Sequence, residues 1–229
     1  MGRSRIRSSR RSNGSVAIPE ACVGRLSLYV RELSRLAAGS ASFISSRNLA
    51  QQLGLTDAQV RRDLSYFGQF GTSGRGYEVA KLRERLLGIL GVDGHTWNVI
   101  LVGVGSLGAA LLTYRGFREG GFLFRCAVES DPAKIGRTVR GLKVEPADHL
   151  RDLVRLHDIH IGVIAVPVEA AQAVCDRLVK AGVGAIVNFA PVRLDVPSGV
   201  RLRTVDLAVE LETSAFYMAR ASHTPRQRL

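Results

Sequence analysis

The stretch NVILVGVGSLGAAL at residues 98–111 constrains the fold more than any other. An apolar run of strand length ends at Gly103. Gly105 and Gly108 follow at the spacing of a tight turn that opens directly into an Ala/Leu-rich helix. Each glycine has its own reason. Gly103 permits the sharp turn, Gly105 lets backbone amides approach a pyrophosphate with no Cβ in the way, and Gly108 lets helix and strand pack closely. Beyond this point the chain alternates FLFRCAV, the helical ADHLRDLVRL, IHIGVIAV, the helical VEAAQAVCDRLVKAG, AIVNFA and VRLRTVDL. Near-continuous apolar strands separated by helices call for a parallel, doubly wound sheet with both faces covered. The expectation is an α/β, Rossmann-like domain over residues 93–206, followed by a helix, AVELETSAFYMARA, and a tail over 207–229.

The turn formed by Gly103, Val104, Gly105, Ser106, Leu107 and Gly108 places helix N-terminal N–H groups where phosphates bind. Glu129 ends the second strand 21 residues beyond Gly108, where a carboxylate can accept hydrogen bonds from the adenosine ribose. A carboxylate there disfavours a 2′-phosphate, so NADH and NAD+ are favoured over their phosphorylated forms. The strand-end rule puts the nicotinamide end at Ala165, Val166 and Pro167 and at Asn188, Phe189 and Ala190, with Tyr114 a candidate to contact the ring. Ordinary loop packing is the competing reading at these positions. A ligand-free domain of this fold, coenzyme A and another adenine nucleotide also stay open for the turn.

Charge separates the two ends of the chain. The formal net charge is +12, but residues 1–85 carry 15 Lys+Arg against 6 Asp+Glu while residues 86–229 carry 17 against 14. The polyanion-facing surface therefore belongs to the N-terminal third. Its first part, with Arg3, Arg5, Arg7, Arg10 and Arg11 among Ser and Gly, reads as a disordered basic arm over 1–17. Residues 18–92 carry an amphipathic helix with Val23, Leu26, Tyr29 or Val30, Leu33 and Leu36 on one face, then a short helix capped by Ser45 or Ser46 and ended at Gly54. A third helix follows, in which Thr56 and Gln59 have capping-box spacing and Val60, Leu64 and Phe67 share a face, leaving Gln59, Arg62, Ser65 and Tyr66 pointing away. The glycine-rich GTSGRGYEV suits the β-hairpin of a winged helix, and VAKLRERLLGILG closes the unit.

Other classes are disfavoured. Cys22, Cys126 and Cys175 are scattered, with no metal-ligand spacing, and read as buried thiols of a cytoplasmic protein. No signal-peptide h-region or membrane-length apolar run occurs. Tyr114 is followed four residues on by Arg118 rather than Lys, and His95, His149, His157, His160 and His223 lie away from the expected strand ends. No proton donor for hydride transfer is evident. The rival reading, an NAD-dependent oxidoreductase with a basic docking domain, loses ground on that account.

The two halves together resemble the Rex family of redox-sensing transcriptional repressors. The likeness runs through IPEA, RLSLYVREL, ISSRNLAQQLGLTDAQVRRDLSYFGQFG, GRGYEV, VGVGSLGAALLTYRGF, SDP, AVP, AAQ, NFAP and VDLAVEL, over residues 18–219. It implies a homodimer that binds palindromic double-stranded operator DNA and releases it when NADH binds, with no metal and no membrane. Ser46, Arg47, Gln59, Arg61, Arg62, Ser65 and Tyr66 would meet the DNA, and Ser130, Asp131 and Lys134 would join the dinucleotide residues. The C-terminal helix would pack against the partner's DNA-binding domain. Arg31, Tyr114 and Asp206 are candidates for a switched contact. Three departures stand out: Ser73 takes the usual wing arginine's place, which Arg75 would have to fill; Glu129 replaces an Asp; and Val-Glu precedes Ser-Asp-Pro.

Overall fold

The computed structural model describes residues 18–72 and 74–222. The arm expected at 1–17, Ser73 of the wing and the tail beyond 222, with His223, lie outside the described residues. The chain divides into two compact units at His95/Thr96.

In the first unit α1 (Glu20–Ala38) buries Cys22, Leu26, Tyr29 and Leu33, a stripe of alternating four- and three-residue steps. Val23, expected on this face, is 42% exposed, because the stripe starts one residue earlier at Cys22. Each of the large apolar side chains contributes about 2 kcal/mol of burial. The short β1 (Phe43–Ile44) leads into α2 (Ser46–Gln52). Ser45 is the cap, its hydroxyl accepting from Asn48 N–H at 3.1 Å. Thr56 caps α3 (Asp57–Ser65) in the same way, accepting from Gln59 N–H at 3.2 Å. The reciprocal half of the capping box is absent, since the Gln59 amide turns instead to Asp63. β2 (Gly71–Thr72) and β3 (Gly76–Glu78) form the wing, β1 adds to β3, and α4 (Val79–Ile89) packs back on the core.

Asp63 fastens α3 to α1. Its carboxylate is 1% exposed and accepts from Arg25 Nε at 2.6 Å, Arg25 Nη2 at 2.8 Å, Tyr29 Oη at 2.7 Å and Gln59 Nε2 at 2.9 Å. Burial alone would raise its pKa, but the hydrogen bonds from Arg25, Tyr29 and Gln59 outweigh that and hold it at about 2.

The second unit carries β4 (Trp97–Val102), α5 (Ser106–Thr113), α6 (Arg115–Glu119), β5 (Phe122–Glu129), β6 (Thr138–Val139) and β7 (Leu142–Pro146). A short 3-10 turn at Ala147–His149 leads to α7 (Leu150–Leu156), β8 (Ile161–Ile164), α8 (Val168–Ala181), β9 (Ala185–Asn188), β10 (Arg201–Thr204) and α9 (Leu207–Ser222). The sheet order is β10-β9-β8-β4-β5-β7-β6, parallel except for the β6–β7 hairpin, as the alternating pattern required. Ile100 and Val102 face α7 and α8, while Val99 and Leu101 face α5, the two-residue alternation of a strand buried on both sides. From β4 the chain first builds outward through β5, β7 and β6, then returns to the other side through β8, β9 and β10. That reversal opens a crevice at the carboxyl ends of β4 and β8. No helix among the described residues is long and apolar enough to cross a membrane. Residues 207–220 of α9 are all exposed, including Leu207, Leu211, Phe216, Tyr217 and Met218.

Because the folded Asp63 pKa lies below the ordinary carboxylate value, its stabilisation is complete above that ordinary value and is lost as pH falls through about 2. Chemical denaturation followed at falling pH is expected to show this loss. Asp63→Ala, which strands the Arg25 guanidinium, is expected to destabilise the unit by about 3 kcal/mol at neutral pH and to flatten the acid dependence.

Candidate functional site

The glycine turn sits at the mouth of the crevice. Gly103 has φ 95°, a conformation open to glycine, and a Cβ there would lie 2.5 Å from the Ala165 carbonyl oxygen. At Gly108 a Cβ would collide with the Gly103 carbonyl oxygen, so this glycine allows the helix to fold onto its own turn. Gly105, the residue capping α5, has no heavy atom within 4 Å of the Cβ it lacks. The space above it is open, and the first N–H groups of α5, from Ser106, Leu107 and Gly108, are the unpaired donors of a helix start. Such a cradle fits a pyrophosphate. Val104 is buried, whereas Ser106 and Leu107 are exposed.

Glu129 holds the turn from the neighbouring strand. Its Oε2 accepts from Val104 N–H at 2.8 Å, and Oε1 accepts from Ser130 N–H at 2.8 Å and Asp131 N–H at 3.2 Å. Burial raises its pKa, but these three amides and the Lys134 charge lower it more, so the net shift is downward. Lys134 Nζ lies 3.6 Å from Glu129 and 3.4 Å from Asp131, whose other oxygen accepts from Ala133 N–H at 3.0 Å. Ser130, Asp131 and Lys134 thus ring Glu129 at the strand end.

The other two expected loops flank the same crevice. Ala165 N–H donates to Val102 at 2.8 Å, Val166 is half-buried and Pro167 caps α8. Asn188 is fully buried, its side chain donating to the Ala190 and Val192 carbonyls and accepting from Ala190 N–H. Asn188 thus shapes its own loop through its side-chain amide. Ala190 is buried with it. Phe189 instead lines an apolar hollow of about 300 Å³ with Leu111, Phe117, Phe124, Val163 and Val205. Tyr114 is 57% exposed and stacks edge-on against Phe117. Asp206 accepts from Ala208 N–H at 2.9 Å and so caps the start of α9.

In the first unit Ser46, Arg61, Ser65 and Arg75 line one open groove of about 570 Å³ between α2, α3 and the wing. Arg61 is already paired with Asp57 at 2.7 Å and reaches the Ser46 hydroxyl at 3.4 Å. The Arg62 and Arg47 side chains are exposed and, among the described residues, have no hydrogen-bond or ion-pair partner. Ser65 donates to the Arg62 carbonyl. Tyr66 ends α3 half-buried, while Phe67 and Phe70 are the aromatics that pack on the core. Arg75 lies 4.0 Å over the Phe43 ring, on the wing. Arg31 projects from the exposed side of α1 with no partner among the described residues.

Reasoning from sequence missed Asp63. The available signal was Arg25 and Tyr29, a cation and a hydroxyl at i, i+4, on a helix face otherwise suited for burial. No group of three or more His, Cys, Asp or Glu suited to a metal occurs among the described residues.

A winged helix and a dinucleotide-type α/β unit in one chain define a ligand-responsive DNA-binding regulator. Family models agree: "Putative DNA-binding protein N-terminus" matches residues 17–65 and "CoA binding domain" matches 95–192. The redox-sensing transcriptional repressor Rex of Desulfitobacterium hafniense is 49% identical over 202 residues, covering 88% of this chain and 96% of that protein. Two crystal structures of the Rex-family repressor RSP resemble it throughout. The complex with β-NAD+ and operator DNA has TM-score 0.85 at 36% identity, covering 90% of this chain and 95% of that one. The complex with β-NADH has TM-score 0.84 at 34% identity, covering 93% and 100%. The chain belongs to the Rex family of redox-sensing transcriptional repressors.

The glycines separate stability from binding. Gly108→Ala is expected to cost about 2 kcal/mol or more in thermal or denaturant unfolding, since backbone must move. Gly105→Ala, facing open space, is expected to change stability by no more than about 0.5 kcal/mol.

Proposed function

We propose that the chain is an NAD(H)-responsive repressor that binds a palindromic operator as a homodimer and releases it when NADH binds. The observation that carries this is the joint presence of an open phosphate cradle held by Glu129 and a helix, α3, with Arg62 unpaired on its outer face. Family membership, and relatives solved with β-NAD+ and operator DNA and with β-NADH, support it.

In this reading α3 enters the major groove. Gln59, Arg62, Ser65 and Tyr66 face base edges, Arg47 lies near phosphate with Ser46 and Arg61 beside it, and Arg75 takes the wing arginine's place toward the minor groove. The Gly103–Gly108 turn and α5 N-terminus hold the pyrophosphate, and Glu129 with Ser130, Asp131 and Lys134 borders the adenosine ribose. A carboxylate there repels a 2′-phosphate, so the phosphorylated dinucleotides bind poorly. Ala165–Pro167 contributes backbone, Phe189 an apolar wall, and Tyr114 an edge for the nicotinamide ring. The dinucleotide supplies binding energy that differs between the operator-competent and released arrangements. A hundredfold loss of operator affinity needs about 2.7 kcal/mol of that difference. The apolar face of α9 is covered by the second copy, which places two α3 helices on one operator. Operator access puts the protein in the cytoplasm. The oxidoreductase reading has no support from the repressor family to which the chain belongs.

Mobility shift on a palindromic operator candidate at fixed salt tests the proposal. NADH is expected to dissolve the complex, whereas NAD+, NADPH and coenzyme A leave it at equal concentration; a complex indifferent to NADH overturns the reading. Arg31, Tyr114 and Asp206 are the candidates for the switch that couples ligand to DNA. Asp206→Asn keeps a side chain able to cap α9 and removes only the charge. It is expected to bind NADH normally by fluorescence yet to retain operator in its presence.

A further inference from the structure

We infer that Asp63 is a positioning residue for operator specificity: its carboxylate fixes which end of the Gln59 amide faces outward from α3, and thereby which base Gln59 accepts. The inference rests on α3 being the recognition helix and adds the device that sets one of its base preferences.

An ionised carboxylate only accepts hydrogen bonds, so the end of Gln59 that meets Asp63 must be the NH2 group. That bond is 2.9 Å long and joins residues one helical turn apart. Asp63 itself cannot rotate away. Arg25 grips both of its oxygens, Tyr29 donates to one of them, and the carboxylate is 1% exposed. Gln59 is further placed by its own backbone N–H, which the Thr56 hydroxyl holds at the first turn of α3. Its free hydrogen-bonding groups are then one carbonyl oxygen and one N–H.

Adenine offers the complementary pair in the major groove, a donor at N6 and an acceptor at N7. Guanine offers two acceptors, N7 and O6. A glutamine with both N–H groups free can turn its NH2 end toward those two acceptors, but one with an N–H committed to Asp63 cannot. Asp63 therefore works chiefly by exclusion, penalising guanine where Gln59 would otherwise tolerate it. Arg25 and Tyr29, although they touch no base in this scheme, maintain the acceptor that enforces the choice.

The test selects bound sequences from a duplex library randomised over about 20 base pairs, enough for two half-sites, using the full chain. Wild-type protein is expected to enrich an A·T pair at one step of each half-site, by about tenfold over G·C. Gln59→Ala loses that preference and keeps the rest of the motif. Asp63→Asn loses the same preference, and Asp63→Asn added to Gln59→Ala changes nothing more at that step. Arg25→Lys weakens folding but leaves the carboxylate facing Gln59, so the preference survives. An unchanged profile in Asp63→Asn overturns the inference, as does an equal loss in Arg25→Lys, which would make Asp63 only a fastening for the helix. If wild-type protein enriches a motif that Gln59→Ala leaves intact, the DNA reading stands and this inference fails. If wild-type protein enriches no motif, both fail. Should Asp63→Asn not fold, amide exchange in the wild-type chain decides: one Gln59 side-chain N–H is expected to exchange about tenfold slower than those of exposed Gln69, and two equally fast protons overturn the inference.

Discussion

The position of α3 depends on one buried carboxylate. α3 has nine residues and only Val60 and Leu64 as fully buried apolar anchors, too few to fix its rotation about its own axis. Asp63 supplies the missing constraint. The fork of Arg25 sets direction as well as distance, Tyr29 closes a third side, and the ionised state is kept by donors rather than by solvent. An ion pair of this kind adds little net stability over an apolar contact of equal volume, because desolvation offsets the attraction. What it adds is a defined geometry, which the base-reading role proposed for α3 requires.

The second unit solves a parallel problem with a second carboxylate. The glycine turn has the freedom its residues give it and would not hold one shape unaided. Glu129 accepts from Val104 across the strands and from Ser130 and Asp131 at its own strand end, which ties the cradle to β5. Both carboxylates have pKa values shifted downward against the effect of burial, so both stay ionised through any physiological change of pH.

Much of this was legible in the residues. The parallel sheet followed from β4, β5, β8 and β9, whose apolar runs are nearly unbroken, and the winged helix followed from the caps at Ser45 and Thr56 and the glycines of the wing. β6 and β7 were not legible, since Lys143 and Glu145 alternate with a single buried valine and the pattern is that of a surface segment. β1 has two residues and exists only because β3 is there to pair with it. Within the sites, the glycine spacing pointed to the turn, but the side-chain partners were long-range. Asp63 meets residues 34 and 38 positions away, and Glu129 reaches Val104 across 25. Local pattern carries no information about such pairs until the core has assembled.

In the proposed repressor the dinucleotide cradle and α3 are thermodynamically coupled within one chain. Coupling of binding sites is reciprocal, so whatever factor NADH imposes on operator affinity, operator must impose on NADH affinity. The most direct measurement is therefore the NADH dissociation constant, by fluorescence titration at constant salt, with and without a saturating operator duplex. The expected result is weaker NADH binding on the operator complex, by the same factor that NADH weakens operator binding to the free protein. An NADH affinity that is identical in the two titrations would contradict the coupling and leave two independent binding units that happen to share a chain.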